Sequence, residues 1–379
     1  MTIDRRASTS SCFAYSFSVS IATVAVPLLG IEAGYSAAEI GVYVGISGLS
    51  QLLARMCLMS AMRRWPDRHL TSVASMALLG SCLLLFASSA PVSYIGAQVL
   101  MGISRAWFWA GMQAHVVRIN EKAIEALAGV NLASSLGMVT GPLAAGALTE
   151  VSMGWAFLGA AGSALVSLIF LLATRKLPIL AKDRGGGRLL LGTGVMIGCW
   201  ASVSAGAWRA MMGSYIPVLL DGARLSPLTI GILLSAANVG VLVGSGMLPR
   251  RLDGARWVFV AAATLVTGLG LALAAYVASL AFAAGVALVG SGLGAGVLQT
   301  LGPGVATNSV AAADRAQAVV TTGTYRAAAL LGAPMIASGL LASTALSVAG
   351  AVAAMGAIIM VPALGIGAMV KFVEGRSRR

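Results

Sequence analysis

The segment YSAAEIG at residues 35–41 returns 190 residues later as LSPLTIG at residues 225–231, an offset of about half the 379-residue chain. The residues ahead of the two copies also agree, since VPLL at 26–29 precedes the first copy and IPVL at 216–219 precedes the second. Each copy leads into an apolar stretch and then an arginine-rich turn. The chain is therefore expected to consist of two related halves.

The composition of the chain excludes a water-soluble fold. Hydrophobic residues make up 58% of the sequence and charged residues 10%, with a mean hydropathy of +0.91. Soluble domains average about 25% charged residues, so this much apolar surface must face lipid. One helix needs about 20 apolar residues to cross a bilayer, and twelve such helices with short connections fit the length of the chain. The sequence predicts an all-α integral membrane protein.

Apolar runs bounded by charged, proline or glycine clusters place twelve transmembrane helices in two pseudo-symmetric six-helix bundles. The first half covers 1–174, a cytoplasmic central loop covers 175–189, and the second half covers 190–379. The predicted spans lie near 11–30, 38–60, 70–90, 92–114, 126–148, 154–174, 190–220, 226–248, 257–277, 279–300, 317–341 and 345–370. Repeats of this size in a helical membrane protein are typical of transporters.

The basic residues predict the orientation of the chain. With both termini in the cytoplasm, 20 of the 25 Lys and Arg residues fall on that side, as the positive-inside rule expects. Topology thus explains the net charge of +13 without a nucleic-acid partner. We predict a monomeric, multi-pass protein of the inner (plasma) membrane in contact with lipid. The four cysteines show no paired spacing, and we expect no disulfide, metal or cofactor.

Over essentially its whole length the sequence resembles the major facilitator superfamily. The resemblance lies in the 6+6 arrangement of spans, the basic central loop, and the segment 34–41 between the first two spans. It implies secondary active transport by alternating access. In that mechanism the two halves rock about a midplane cavity lined mainly by the first, fourth, seventh and tenth spans.

The fifth predicted span carries GMVTGPLAAG at residues 137–146, which contains Gly137, Gly141 and Pro142. This segment is similar to a Gly-x-x-x-Gly-Pro element found in the family's exporters, and the resemblance implies efflux. Close helix packing with a proline kink explains the same residues equally well. Both interpretations remain open at this point.

The turn between the second and third spans reads MRRWPDR at residues 62–68. The family usually has an aspartate here that ties the cytoplasmic gate, and Asp67 resembles it, although arginine lies near the usual position. Asp67 is therefore a candidate gating or packing residue. The alternative is that the segment supplies only topogenic charge.

Polar side chains inside membrane spans are informative because a central charge costs about 2.5–3.5 kcal/mol on insertion scales. The third, sixth, ninth and twelfth predicted spans contain no charged residue and no Asn or Gln, which assigns the cavity to the other spans. Arg105 lies mid-way along the fourth span with Gln98 and Trp109 on its face. The candidate substrate-binding residues are Gln98, Arg105, Trp109, Arg209, Asn238 and Arg326.

None of the twelve acidic residues lies in the middle of a predicted span, so these arginines have no evident protein counter-ion. A buried unpaired cation is costly. A substrate carboxylate or phosphate completes the site, or carbonyls and water do, or the side chains snorkel to the interface. The absence of a central acid also weakens the case for proton coupling, which leaves Glu39, Glu125 and Asp221 near the helix ends as the candidate acids. His69 and His115, at the cytoplasmic ends of predicted helices, are interpreted as interface residues, with a role as proton relays as the alternative.

From these features we predict a non-enzymatic exporter that moves an anionic or zwitterionic metabolite or drug by antiport. An importer or uniporter of an organic anion is the alternative. An intramembrane lipid-modifying enzyme is a distant alternative, because no cluster of a nucleophile, base or metal ligands is evident.

Overall fold

The computed structural model describes residues 3–119, 123–179, 192–247, 256–311, 314–343 and 346–377. Within these ranges the chain forms helices joined by turns, and twelve helices have at least 20 residues. Nine of the described helices are long and apolar enough to cross a membrane. The predicted all-α architecture is confirmed. The helices are α1 Ile3–Glu32, α2 Ala37–Met62, α3 Asp67–Ala87, α4 Pro91–Ile119, α5 Ala123–Val151, α6 Met153–Leu172, α7 Thr193–Met212, α8 Tyr215–Gly222, α9 Pro227–Met247, α10 Arg256–Tyr276, α11 Ala281–Asn308, α12 Arg315–Ser343 and α13 Val348–Ser377.

The chain divides into two compact units. Unit 1 contains Met1–Arg184 together with Ser226–Ser235, and unit 2 contains Gly185–Leu225 together with Ala236–Arg379. In unit 1, α1 packs against α5 and α6, and α3 packs against α4 and α6. In unit 2, α7 packs against α11 and α12, and α10 packs against α11 and α13. The predicted central loop is described only as far as residue 179.

The repeated segment adopts the same backbone turn at both places. Gly34 has φ 80° and Arg224, 190 residues later, has φ 61°. The N–H of Tyr35 donates to the carbonyl of Gly30 at 2.9 Å, and the N–H of Leu225 donates to that of Leu220 at 3.2 Å. This is the left-handed end that commonly terminates a helix. The repeat is therefore structural as well as sequential.

A stripe of small residues on α5 brings this helix close to α1. Gly129, Ala133, Gly137, Gly141 and Ala145 recur every four residues, which places them on one helical face. A Cβ atom at Gly137 would lie 2.6 Å from the carbonyl oxygen of Phe13, and one at Gly141 would lie 2.5 Å from Cβ of Ser20. Hydroxyl contacts join the same helices, including Ser16 Oγ to Ser134 Oγ at 2.9 Å. Small residues thus permit a contact driven by van der Waals packing.

The seventh predicted span, 190–220, is wrong as a single helix. The structure ends α7 at Met212 and starts α8 at Tyr215, with Ser214 at φ −132° and ψ −76°. Pro217 lacks the N–H that would donate to the carbonyl of Gly213, and glycine is itself a weak helix former. Pro27, the counterpart of Pro217, lies inside an unbroken α1 where Thr23 replaces the glycine. The break therefore reflects the residue four positions before the proline.

Two other boundaries differ from the prediction in a way that affects the site. The first span was expected from residue 11, whereas α1 begins at Ile3 and includes Asp4. The fourth was expected to end at 114, whereas α4 continues to Ile119 and includes His115. Hydropathy alone assigns such polar residues to a flanking loop, but here both are buried against each other.

Candidate functional site

Arg105 of α4 lies inside unit 1 and reaches α1. Its Nη2 donates a hydrogen bond to Oγ1 of Thr23 at 3.0 Å. Its Nε is buried and has no hydrogen-bond partner among the described residues. The two ion pairs found in the described part of the chain involve other residues, so no described carboxylate pairs with this guanidinium. The guanidinium of Arg105 therefore donates to one neutral oxygen, and its Nε–H donor has no partner among the described residues.

Gln98 lies two turns from Arg105 along α4, and its side chain is 1% exposed. Its amide Nε2 is buried without a partner among the described residues. Met101, between the two, is also buried. One face of α4 therefore carries two buried side chains with unsatisfied N–H donors, which can donate hydrogen bonds to an added acceptor.

Aromatic rings of α1 and α4 form a cluster that includes residues within about one helical turn of Arg105. Tyr15 of α1 stacks on Phe108 with centroids 3.5 Å apart, and its hydroxyl lies 2.7 Å from Oγ of Ser104. The ring of Trp109, a predicted site residue, makes T-shaped contacts with two rings. Its centroid lies 6.2 Å from that of Tyr15 and 5.5 Å from that of Phe108. The ring of Trp109 is thus held beside Arg105 by this cluster, which is itself part of the α1–α4 contact.

The predicted site residues of unit 2 form contacts between neighbouring helices. Nη1 of Arg209, at the end of α7, donates to Oδ1 of Asn238 in α9 at 2.8 Å. Nη2 of Arg326 in α12 donates to Oε1 of Gln299 in α11 at 3.1 Å. Each amide oxygen orients a guanidinium, so the structure brings Arg209 and Asn238 together and pairs Arg326 with a residue outside the predicted set.

Asp67, the candidate gating residue, begins α3 and is 1% exposed. Its Oδ2 accepts a hydrogen bond from Nη1 of Arg118 in α4 at 2.7 Å. Arg118 also donates to the carbonyl of Pro178, and Arg68 donates to that of Thr174 at 3.0 Å. We call this region, defined by Arg68, Arg118 and Arg175, the basic end of unit 1. There the pair of Asp67 and Arg118 joins α3 and α4, and Arg118 also reaches the segment after α6.

Gly137, Gly141 and Pro142 lie where α5 meets its neighbours. The two glycines face α1, and a Cβ atom at Gly231 of α9 would overlap the carbonyl oxygen of Pro142. All three residues therefore occupy close helix contacts within unit 1.

Several contacting residues were not predicted. Thr23, Arg118 and Gln299 hold predicted site residues, and Asp4 pairs with His115. Thr23 carries no signal in the sequence because a threonine inside a span is ordinary. Asp4 was missed because it precedes the apolar run that marked the first span.

The sequence model of the Major Facilitator Superfamily matches residues 9–334 of the chain. The chain belongs to the Major Facilitator Superfamily. As a member of this superfamily it is a multi-pass membrane protein and a transporter rather than an enzyme, which sets aside the lipid-modifying alternative.

Solved structures share this fold of the Major Facilitator Superfamily at low sequence identity. A POT family transporter in complex with a thioalcohol conjugated peptide aligns with a TM-score of 0.77 at 12% identity, covering 97% of this chain and 96% of that one. The nucleoside transporter NupG aligns at 0.73 and 13%, covering 98% and 100%. A bacterial homolog of the human lysosomal transporter Spinster aligns at 0.68 and 16%, covering 97% and 93%. A search of curated proteins finds no match.

Proposed function

We propose that this chain is a secondary active transporter that exports a small anionic or zwitterionic organic solute by antiport, with Arg105 binding the anionic group. The observation that carries this proposal is the partnering of Arg105. Its guanidinium holds one hydroxyl, has a buried Nε without a partner, and has no described carboxylate beside it. A carboxylate or phosphate satisfies such a guanidinium through two parallel hydrogen bonds.

Neighbouring residues support the same class of solute. The unused amide N–H groups of Gln98 supply further donors on the same face of α4. The ring of Trp109 offers an apolar surface beside them. In unit 2, Arg209 and Arg326 are oriented by Asn238 and Gln299, and we propose Arg209, Asn238 and Arg326 as substrate-binding residues of that unit.

The comparisons are consistent with a small solute. POT family transporters of similar fold were solved in complex with a thioalcohol conjugated peptide and with 5-aminolevulinic acid. The export direction rests on the resemblance of residues 137–146 to the family's exporters. The proposed location is the inner membrane with both termini in the cytoplasm, which follows from the distribution of Lys and Arg.

A thermal-shift screen of the purified protein tests the solute class. The panel contains benzoate, succinate, glycylglycine, tetramethylammonium and glucose, so that anionic, zwitterionic, cationic and neutral compounds are compared. We expect stabilisation by an anionic or zwitterionic compound, because ligand binding to the folded state raises the unfolding temperature. Stabilisation by the cation or the sugar alone would contradict the proposal.

The variant Arg105→Gln tests the residue. A hydrogen bond to a charged group contributes about 1.5–3 kcal/mol, so binding should weaken about 10- to 100-fold. Arg224→Gln is the matched control, because Arg224 is exposed and the substitution removes the same positive charge. Equal affinity in Arg105→Gln and wild type would remove Arg105 from the site.

Everted vesicles test the direction. Uptake of the stabilising compound that requires an imposed pH gradient supports export by antiport. Uptake down the compound's own gradient without proton dependence supports the importer or uniporter instead.

A further inference from the structure

Asp4 and His115 form a buried contact at the basic end of unit 1. Nε2 of His115 lies 3.3 Å from Oδ1 of Asp4, and the two side chains are 3% and 7% exposed. The backbone N–H of Arg175 donates to the same carboxylate oxygen at 3.2 Å. One carboxylate therefore joins α1, α4 and the segment that follows α6.

Two polar atoms of this pair are left over. Oδ2 of Asp4 and Nδ1 of His115 are buried, and neither has a hydrogen-bond partner among the described residues. Oγ of Ser8, one helical turn from Asp4, is buried and unpartnered as well. A buried polar atom without a partner costs about 1–3 kcal/mol. The pair therefore has two buried atoms with lone pairs that no described residue uses.

A proton can be added to either leftover atom of the pair. Added to Oδ2 it gives the carboxylic acid, and added to Nδ1 it gives the imidazolium. Neither addition requires the contact between Nε2 and Oδ1 to break. The pair can therefore bind and release one proton while its side chains stay together.

Other charged groups lie on the elements around Asp4 and His115. Asp4 differs from Asp67, the nearby acid of α3, in its partners. Asp67 is already paired with Arg118 at 2.7 Å, and Arg68 is bound to the carbonyl of Thr174. Binding a proton at Asp4 thus changes the charge of a carboxylate that no described arginine or lysine side chain neutralises. The charged and titratable groups on the elements around the pair are Arg5 and Arg6 of α1, Asp67, Arg68 and His69 of α3, Arg118 of α4, Glu125 of α5, and Arg175 and Lys176 after α6.

We propose that Asp4 and His115 bind the proton that this transporter exchanges for its solute. The inference rests on the proposed function, since a coupled proton requires secondary transport. Protonation of Asp4 makes its carboxyl a weaker acceptor for the N–H of Arg175, because hydrogen bonds to an ionised acceptor are about twice as strong. Proton binding thereby loosens the contact between α1 and the segment after α6. The acid needed for coupling lies at the end of α1 rather than mid-span.

The first measurement needs no solute. The chain contains two histidines, so His69→Gln leaves His115 as the only imidazole. NMR of isotope-labelled histidine in lipid nanodiscs then follows His115 across about pH 5 to 8, the range in which histidine changes charge. We expect one pH-dependent change in the ring signals of His115, with a midpoint that differs in Asp4→Asn, because the carboxylate of Asp4 contacts Nε2 of His115. A midpoint that Asp4→Asn leaves unchanged would overturn the proposal.

The second measurement separates coupling from solute binding. Proteoliposomes carrying wild type, Asp4→Asn, His115→Gln or the control His69→Gln are compared in exchange of the stabilising compound and in its accumulation under a pH gradient. We expect Asp4→Asn and His115→Gln to exchange solute at wild-type rates and to lose gradient-driven accumulation at least about tenfold. His69 is exposed, and its variant should keep both activities.

The outcomes distinguish the two proposals. Accumulation by Asp4→Asn at the wild-type level would overturn the proton site, and so would loss of exchange together with accumulation, because that result indicates a structural role. Absence of exchange in wild type would overturn the proposed function, and the NMR titration would then decide the proton site on its own.

Discussion

At the scale of single residues, the repeated turn contains an unmatched pair. Gly34 and Arg224 occupy equivalent positions with φ 80° and 61°. A side chain with a Cβ atom costs roughly 1–2 kcal/mol in this left-handed region, whereas glycine enters it freely. Arg224 is an arginine in a conformation that favours glycine, so this turn stores strain that its counterpart lacks.

The pair gives a prediction with opposite signs. Arg224→Gly should stabilise the protein by about 1 kcal/mol, and Gly34→Ala should destabilise it by a similar amount. Steric contact does not confound the second change, since a Cβ at Gly34 meets nothing within 4 Å. Thermal unfolding in detergent measures both. Gly222→Ala is the control. A Cβ atom at Gly222 also has nothing within 4 Å, and the φ angle of Gly222 is outside the left-handed region. A lower unfolding temperature for Arg224→Gly would refute this account.

Residue types that mark a site were recognised from the sequence, but their partners were not. Arg105 was predicted because a charge inside a span is costly. Its partner Thr23 lies 82 residues away in the chain. Hydropathy gives the face of each helix and not the helix it meets, so the contacts of Arg209 with Asn238 and of Arg326 with Gln299 emerge only from the structure.

At the scale of the elements, the stripe on α5 tests whether residues 137–146 act through packing. Gly141→Ala and Gly137→Ala should each lower stability by about 1–3 kcal/mol, because a methyl group would overlap α1. Gly162→Ala on α6 is the control, since its Cβ meets nothing within 4 Å. Thermal unfolding and transport are measured together. Unchanged unfolding temperatures with altered transport would favour a role in efflux over a role in packing.

Helix existence was predictable from the sequence and helix ends were not. Twelve apolar runs were predicted, and the described residues contain twelve helices of at least 20 residues, because a span must satisfy its backbone polar groups by its own hydrogen bonds. The break at Gly213 and Ser214 depends on a glycine four residues before a proline, which hydropathy does not register. The extension of α1 to Ile3 depends on a partner for Asp4, which is supplied by α4.

At the scale of the whole molecule, the basic residues lie mostly in the turns that the positive-inside rule predicts to be cytoplasmic. Asp67 does not fit a purely topogenic role, since it is buried and bound to Arg118. An ion pair that joins α3 and α4 constrains their relative motion in a way that scattered surface charge does not.

A double-mutant cycle decides between these roles of Asp67. Asp67→Asn and Arg118→Gln should each destabilise the protein, and the double variant should lose less than their sum, because either single change leaves a buried partner unsatisfied. We expect a coupling of about 1–3 kcal/mol, reduced from that of a fully buried pair because the Arg118 side chain is 23% exposed.

The parallel cycle of Asp67→Asn with Arg63→Gln is the control, because Arg63 is an exposed arginine in the preceding turn, and it should give no coupling. If the ion pair of Asp67 and Arg118 also stabilises a closed gate, Asp67→Asn changes the rate of solute exchange. Zero coupling in the Arg118 cycle would return Asp67 to a topogenic role.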